Sequence, residues 1–304
     1  AAGLDINFLI NEILTRLGGG LSDADVATLL LAAFRIRAGL LTLPDVLRRY
    51  TEDRFGAPAP VGFRQLRRTE DLLLAALGAD YDLLAMAPVV PFGAHATLAG
   101  TDQTSVLATV RQGELAADPA IGLALEAAAR RRELLARHGP AAPPVRLAAL
   151  QRVGRVRRSA EAGRFDHVGV LALVTAGRDT GDLTFERHHG AAQLAALCAG
   201  IRAVGVEAIE VIQTVLDPAA APVAEAIRGA LAHRPDVLVR DGPDQLGGRY
   251  YTGWCYRCTV SLAGERVEVG GGGFVDWTAR LLGNRAERLL VGGLSVDRLA
   301  RALG

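Results

Sequence analysis

Residues 247–258, GGRYYTGWCYRC, put two cysteines, three tyrosines, a tryptophan and two arginines into one short stretch. The closing CYRC has the Cys-x-x-Cys spacing of zinc and redox sites, which need both sulfurs on one side of the backbone. Here the pair lies in a period-2 run. Trp254, Tyr256, Cys258 and Val260 share one face of such a strand, while Cys255, Arg257 and Thr259 share the other. An offset of three therefore sends the sulfurs apart. The six histidines are scattered, and His188 and His189, being adjacent, do not converge on one ion. Cys255 and Cys258 read as packing residues, and no metal site is expected.

An absence narrows the chemistry further. The chain has 34 arginines and no lysine. Schiff-base formation, pyridoxal-phosphate attachment and a Walker-type phosphate loop all need lysine and are excluded. A phosphate must be held by arginine forks, backbone N–H groups or a metal. The net charge of +1 gives no broad drive toward nucleic acid or membrane. No apolar run reaches the roughly 18 residues of a membrane span. The three cysteines make no disulfide framework, so a cytoplasmic globular protein is the default expectation.

The elements that must position these residues fall into two parts. Ile6, Leu9, Ile10, Ile13, Leu14 and Leu17 have helical spacing that stops at GGG, residues 18–20. Ser22 with Asp25 caps a second helix, and Pro44 sits at the start of a third. GAPAPVG, residues 56–62, has linker composition. The expected division is a helical module over 1–58 and a larger domain over 63–304. In the larger part, helices are expected at 64–79 and 119–137. VRLAALQRVGRVRR and FDHVGVLALVTAG form a long hairpin around SAEAGR. Further strands are expected at VEAIEVIQTVL, RYYTGWCYRCTVSL, RVEVGGGGF and ERLLVGG, with helices between. Hairpins interrupted by helices point to an α+β fold with an antiparallel or mixed sheet, not a repeated βαβ wind.

Four segments in order carry a family resemblance. PVVPFGAH resembles the strand-ending proline of motif 1, and RLAALQRVGRVRRSAEAGRFDHVGV the strand, Gly-Arg loop and strand of motif 2. GGRYYTGWCYRCTV resembles the Tyr-Tyr-Thr-Gly signature of histidyl-tRNA synthetases. GGGGFVDWTARLLGNRAERLLVGGLSVDRL resembles that family's Gly-Gly-Arg-Tyr-Asp segment followed by motif 3. Together they resemble a class II aminoacyl-tRNA synthetase catalytic domain over residues 66–304. The branch is the one shared by histidyl-tRNA synthetase and the regulatory subunit of ATP phosphoribosyltransferase.

The resemblance implies bent ATP, magnesium and two clamping arginines. Arg155, or Arg157 if the register slips, matches the arginine at the α-phosphate; Arg298 matches the one at the γ-phosphate. Arg164 lies in the motif 2 loop, and Gly292 and Gly293 would let nucleotide approach their strand. The other reading of Arg155, Arg157, Arg158 and Arg164 is a solvated basic hairpin. Asp118 matches the carboxylate that receives the substrate's ammonium group. Tyr250 and Tyr251 would line the pocket, with Asp276 ordering it. His167 is either a substrate contact or a hydrogen-bonded histidine at a strand start.

Departures from the pattern matter as much. Arg157 stands where motif 2 has glutamate, Phe274 replaces an arginine, and Leu171 replaces a pocket glutamate. Histidine is thereby an unlikely substrate. Arg249 is a candidate substitute for the arginine missing near Leu246. No anticodon-binding domain follows motif 3, so conventional tRNA binding and charging are not expected. Two functions follow from the resemblance. One is a homodimeric ligase that binds ATP and an amino acid or related carboxylate, forms an acyl-adenylate, and passes it to a carrier or other acceptor. The alternative is a non-catalytic regulatory subunit acting through a partner enzyme.

Overall fold

The computed structural model describes residues 6–52, 55–156, 166–243, 250–262 and 264–303. Its centre is an eight-stranded mixed sheet in the order β1-β4-β5-β10-β9-β8-β6-β7. The strands are β1 (Asp82–Leu83), β4 (Val145–Gly154), β5 (His167–Arg178), β10 (Glu287–Ser295), β9 (Glu265–Val275), β8 (Trp254–Leu262), β6 (Ile209–Val215) and β7 (Val237–Asp241). The six inner strands run antiparallel, and only β1 on β4 and β7 on β6 are parallel. The motif 2 segment forms the expected hairpin, with Val145 opposite Ala176 and Gly154 opposite His167.

Burial of both faces explains why β5 is nearly all apolar. Leu171 and Leu173 pack into one core beneath α4 (Phe63–Leu77), α7 (Thr184–Ala203), α8 (Ala221–Leu231) and α10 (Val296–Ala300). The alternate residues Val168, Val170, Ala172, Val174 and Ala176 pack into a second core with α5 (Ala94–Ala99), α6 (Pro119–His138) and α9 (Trp277–Leu282). A two-stranded sheet of β2 (Val89–Pro91) and β3 (Gly113–Leu115) lies beside the main one. Three further helices, α1 (Ile6–Thr15), α2 (Asp23–Gly39) and α3 (Leu43–Glu52), precede these elements. Ser22 caps α2 as expected, its hydroxyl accepting from Asp25 N at 3.2 Å.

Three details differ from the expected elements. The first helix ends at Thr15, and residues 16–20 continue as a wider π-type turn. Strand β8 begins at Trp254, later than expected, because Gly253 has φ +72° and bends the chain ahead of it. Tyr250 and Tyr251 thus precede the strand. Strand β7 had no counterpart in the sequence reading: five half-exposed residues at a sheet edge give too short a run for a periodic signal.

The strand faces of CYRC fall as expected. Cys258 packs in the α7-side core while Cys255 faces the other way, and both are buried. Burial pushes the Cys255 thiol up to about 11 and Cys198 to about 12, so neither is a nucleophile at neutral pH. Among the described residues no group of three or more His, Cys, Asp or Glu is placed to hold a metal.

The glycine run of β9 and β10 makes room for tyrosines on both sides of the sheet. A Cβ on Gly292 would sit 2.2 Å from Tyr256 Oη and 2.6 Å from Gln193 Nε2, on the α7 side. On the opposite face, a Cβ on Gly273 would come within 2.8 Å of the Tyr251 ring. Gly292→Ala is therefore expected to lose about 1–3 kcal/mol by overpacking. Adding Tyr256→Phe, which removes the crowding oxygen, should recover part of the loss. Urea unfolding of the single and double variants measures both.

Candidate functional site

Asp118 and Arg155 meet where α6 begins and β4 ends. Asp118 is the N-cap of α6: Oδ1 accepts from Ala120 N at 2.9 Å, and Pro119 occupies the first helical turn. Arg155 donates from Nε to Ala117 O at 2.7 Å and from Nη2 to Asp118 Oδ2 at 3.2 Å. Both side chains are part-exposed, 33% for Arg155 and 45% for Asp118. A pair so wetted contributes about 0–1 kcal/mol to folding. Its importance is chemical: a cation and an anion stand side by side, both reached by solvent.

An aromatic wall adjoins them. Tyr250 and Tyr251 have ring centroids 4.5 Å apart, their hydroxyls 3.4 Å apart, and Tyr250 lies 5.8 Å from the Trp277 ring. Burial pushes the Tyr250 phenol up; the Tyr251 hydroxyl and Arg155 oppose the rise, and Asp118 adds to it. Burial likewise holds Tyr251 well above the ordinary phenol range, with Tyr250 and Asp118 reinforcing it. Both tyrosines stay neutral at physiological pH and offer hydroxyls as donors. The indole Nε1 of Trp277 is buried without a hydrogen-bond partner in the described structure.

A buried hydrogen-bond network around Glu114 sets the Ala117–Asp118 backbone. Glu114 accepts from His95 N, Gly93 N, Gln103 Nε2 and the His95 ring at 2.6–3.0 Å. Ala117 N–H donates to His95 Nε2 at 3.0 Å, so Nδ1 carries the ring proton and donates it to Glu114. Burial alone would raise the Glu114 carboxyl, but its donors outweigh that and bring it down to about 2. A depressed carboxyl stabilises the fold fully above its ordinary value of 4.5, and that stabilisation is lost as pH falls from there through about 2. Glu114→Gln should flatten this acid limb of a stability-versus-pH curve measured by urea unfolding.

The remaining sequence candidates lie elsewhere. His167 faces the α10 side. Arg152 Nη1 donates to its Nδ1 at 2.7 Å, since an arginine can only donate, and Nε2 donates to Ala57 O at 2.6 Å. Of its two readings, the hydrogen-bonded strand-start histidine matches these contacts. Gly292 also faces the α7 side, where its missing side chain accommodates Tyr256. A Cβ on Gly293 would meet the Leu171 carbonyl at 2.6 Å, so close strand approach accounts for that glycine. Arg298 donates to the Glu268 carbonyl of β9. Asp276 begins α9 beside Trp277 and pairs with Arg280 at 3.5 Å. Arg157, Arg164 and Arg249 lie outside the described residues.

Other partners were not apparent from sequence. Buried Asp297, next to Arg298, accepts from Gly169 N at 2.6 Å and from Arg152 Nη2 at 3.0 Å. Glu114 and His95 gave no local signal, being 19 residues apart with their contact made by the fold. For Asp118 a signal was present: Asp-Pro before an apolar helical run marks an N-cap.

The antiparallel sheet, the motif 2 hairpin, and the β10–α10 strand–helix ending together define the class II aminoacyl-tRNA synthetase-like catalytic fold. Solved structures agree with this. A histidyl-tRNA synthetase from S. aureus superposes with a TM-score of 0.60 at 14% identity, over 79% of this chain and 65% of that one. An ATP phosphoribosyltransferase regulatory subunit/histidyl-tRNA synthetase from Bacillus halodurans gives 0.62 at 13% identity, over 83% of each chain. A histidine–tRNA ligase subunit from Alicyclobacillus acidocaldarius gives 0.59 at 12%, over 81% of this chain and 95% of that one. The chain thus spans less than two thirds of the S. aureus enzyme. No protein-family model matches the chain, and no curated protein matches it in sequence.

Proposed function

We propose that this chain binds ATP and a small α-amino acid and joins them as an acyl-adenylate. The observation that carries the reading is the Asp118–Arg155 pair beside the wall of Tyr250, Tyr251 and Trp277. An amino acid is a zwitterion, and the pair offers an acceptor for its ammonium group next to a donor for its carboxylate. The aromatic wall suits an apolar or aromatic side chain. Leu171, in the place of the family's pocket glutamate, packs in the α7-side core, on the sheet face away from Asp118, so its apolarity does not bear on the choice of amino acid.

In the reaction a carboxylate oxygen attacks the α-phosphorus of ATP, forming a C–O–P link as the bond to the departing pyrophosphate breaks. Arg155 would turn from Asp118 toward the charge that builds on the α-phosphate oxygens. Arg298 would have to release the Glu268 carbonyl to reach the γ-phosphate. Magnesium would enter with the nucleotide, held by phosphates and water. A carrier or other acceptor would take the acyl group, and a cytoplasmic location fits this chemistry.

Engagement of Arg298 with a backbone carbonyl also supports a second reading, a regulatory subunit that senses an amino acid and acts through a partner enzyme. Pyrophosphate exchange with ATP across the twenty amino acids separates the two. Exchange with one or a few apolar amino acids is expected. Amino-acid binding by calorimetry with no exchange would favour the regulator, and no amino-acid binding would overturn both readings.

A further inference from the structure

None of residues 7–52 is buried, although the segment is rich in apolar side chains. Helix α2 carries them on every side: Leu29, Leu31, Phe34 and Ile36 are 52%, 37%, 57% and 68% exposed. A helix apolar all round belongs inside a core or an interface. This surface needs an occupant.

Charge selects among the possible occupants. Residues 6–52 contain five acidic residues and five arginines. Arg16 pairs with Glu12, and Arg48 with Asp45 and Glu52, all within their own helices. There is no basic excess to draw an anionic membrane and no net charge to draw an oppositely charged protein. On α2 the charges are sorted by end: Asp23 and Asp25 open the helix, while Arg35 and Arg37 close it. Two copies of α2 laid antiparallel would set each acidic end against the other's basic end, with the helix dipoles opposed. Helical spacing places Asp25, Leu29 and Ile36 along one side, with Arg37 at its margin. A two-fold axis near the middle of the helix would satisfy all of these at once.

We propose that α2 is a self-association surface, on which a second copy of the chain pairs antiparallel through Leu29 and Ile36, Asp25 of each facing Arg37 of the other. Sedimentation velocity on the full chain tests it. Leu29→Glu with Ile36→Glu changes only exposed positions and should raise the dimer dissociation constant at least tenfold, with an unchanged thermal melt. Asp25→Arg and Arg37→Asp should each weaken self-association, because like charges then meet at the helix ends. An equimolar mixture of those two variants should recover it, since a helix basic at both ends suits one acidic at both. Unchanged sedimentation of the glutamate variant, or no recovery in the mixture, overturns the proposal. So does a wild-type chain that stays monomeric and floats with phosphatidylglycerol vesicles.

Discussion

Asp118→Asn is expected to weaken amino-acid binding by about a hundredfold while changing folding stability by less than about 1 kcal/mol. The two effects separate because the two carboxylate oxygens have separate tasks. Oδ1 caps α6 through Ala120 N, and asparagine caps a helix as well as aspartate. Oδ2 faces Arg155, and there the lost charge removes the partner of a bound ammonium group. Asp118→Ala should lose the same affinity and a further ~1 kcal/mol of stability through the cap. Calorimetric titration with the amino acid chosen by the exchange screen, together with urea unfolding, checks both numbers. Equal binding by wild type and Asp118→Asn would remove Asp118 from the pocket.

Glu287→Gln is expected to cost about 3–5 kcal/mol of stability, by stranding the charge of Arg131. Both side chains are fully buried, and Arg131 donates from Nε and Nη2 to the two Glu287 oxygens at 2.8 and 2.9 Å. Its Nη1 also binds the carbonyls of Ala142 and Pro143, at 3.0 and 2.6 Å. This arginine therefore joins α6, the segment just ahead of β4, and β10. Replacing both partners, as Arg131→Met with Glu287→Leu, should recover only part of the loss, because the two carbonyls then lose their donor. A urea series on wild type, the single variant and the double variant measures the coupling. A loss under 1 kcal/mol for Glu287→Gln would show that water or another group reaches Arg131.

Local chemistry made much of the fold readable in advance. The motif 2 hairpin, the opposed faces of Cys255 and Cys258, and the cap at Ser22 each depend on spacings of a few residues. Arg155 and Asp118 were each singled out only through the order of the family motifs, and their pairing across 37 residues was not foreseen. What sequence missed were long-range ion contacts. Arg131 with Glu287 and Arg152 with Asp297 span 156 and 145 residues, and a charged residue looks the same in sequence whether it meets water or a buried partner. Gly292 was misplaced for a related reason. A glycine records that something comes close but not what, and here Tyr256 is the neighbour.

Strand β10 lies between β5 and β9, in the middle of the sheet, yet it follows the sheet's other seven strands in sequence. Synthesis from the amino terminus therefore leaves a gap until residues 287–295 emerge. Before then, β5 and β9 expose unpaired backbone edges, Asp297 is absent from Arg152, and Arg131 has no counter-charge. Open edges of this kind invite pairing with other nascent chains. The sheet is thus closed by its last-made strand, as by a keystone, and the interval before closure is when a ribosome-associated chaperone would matter most.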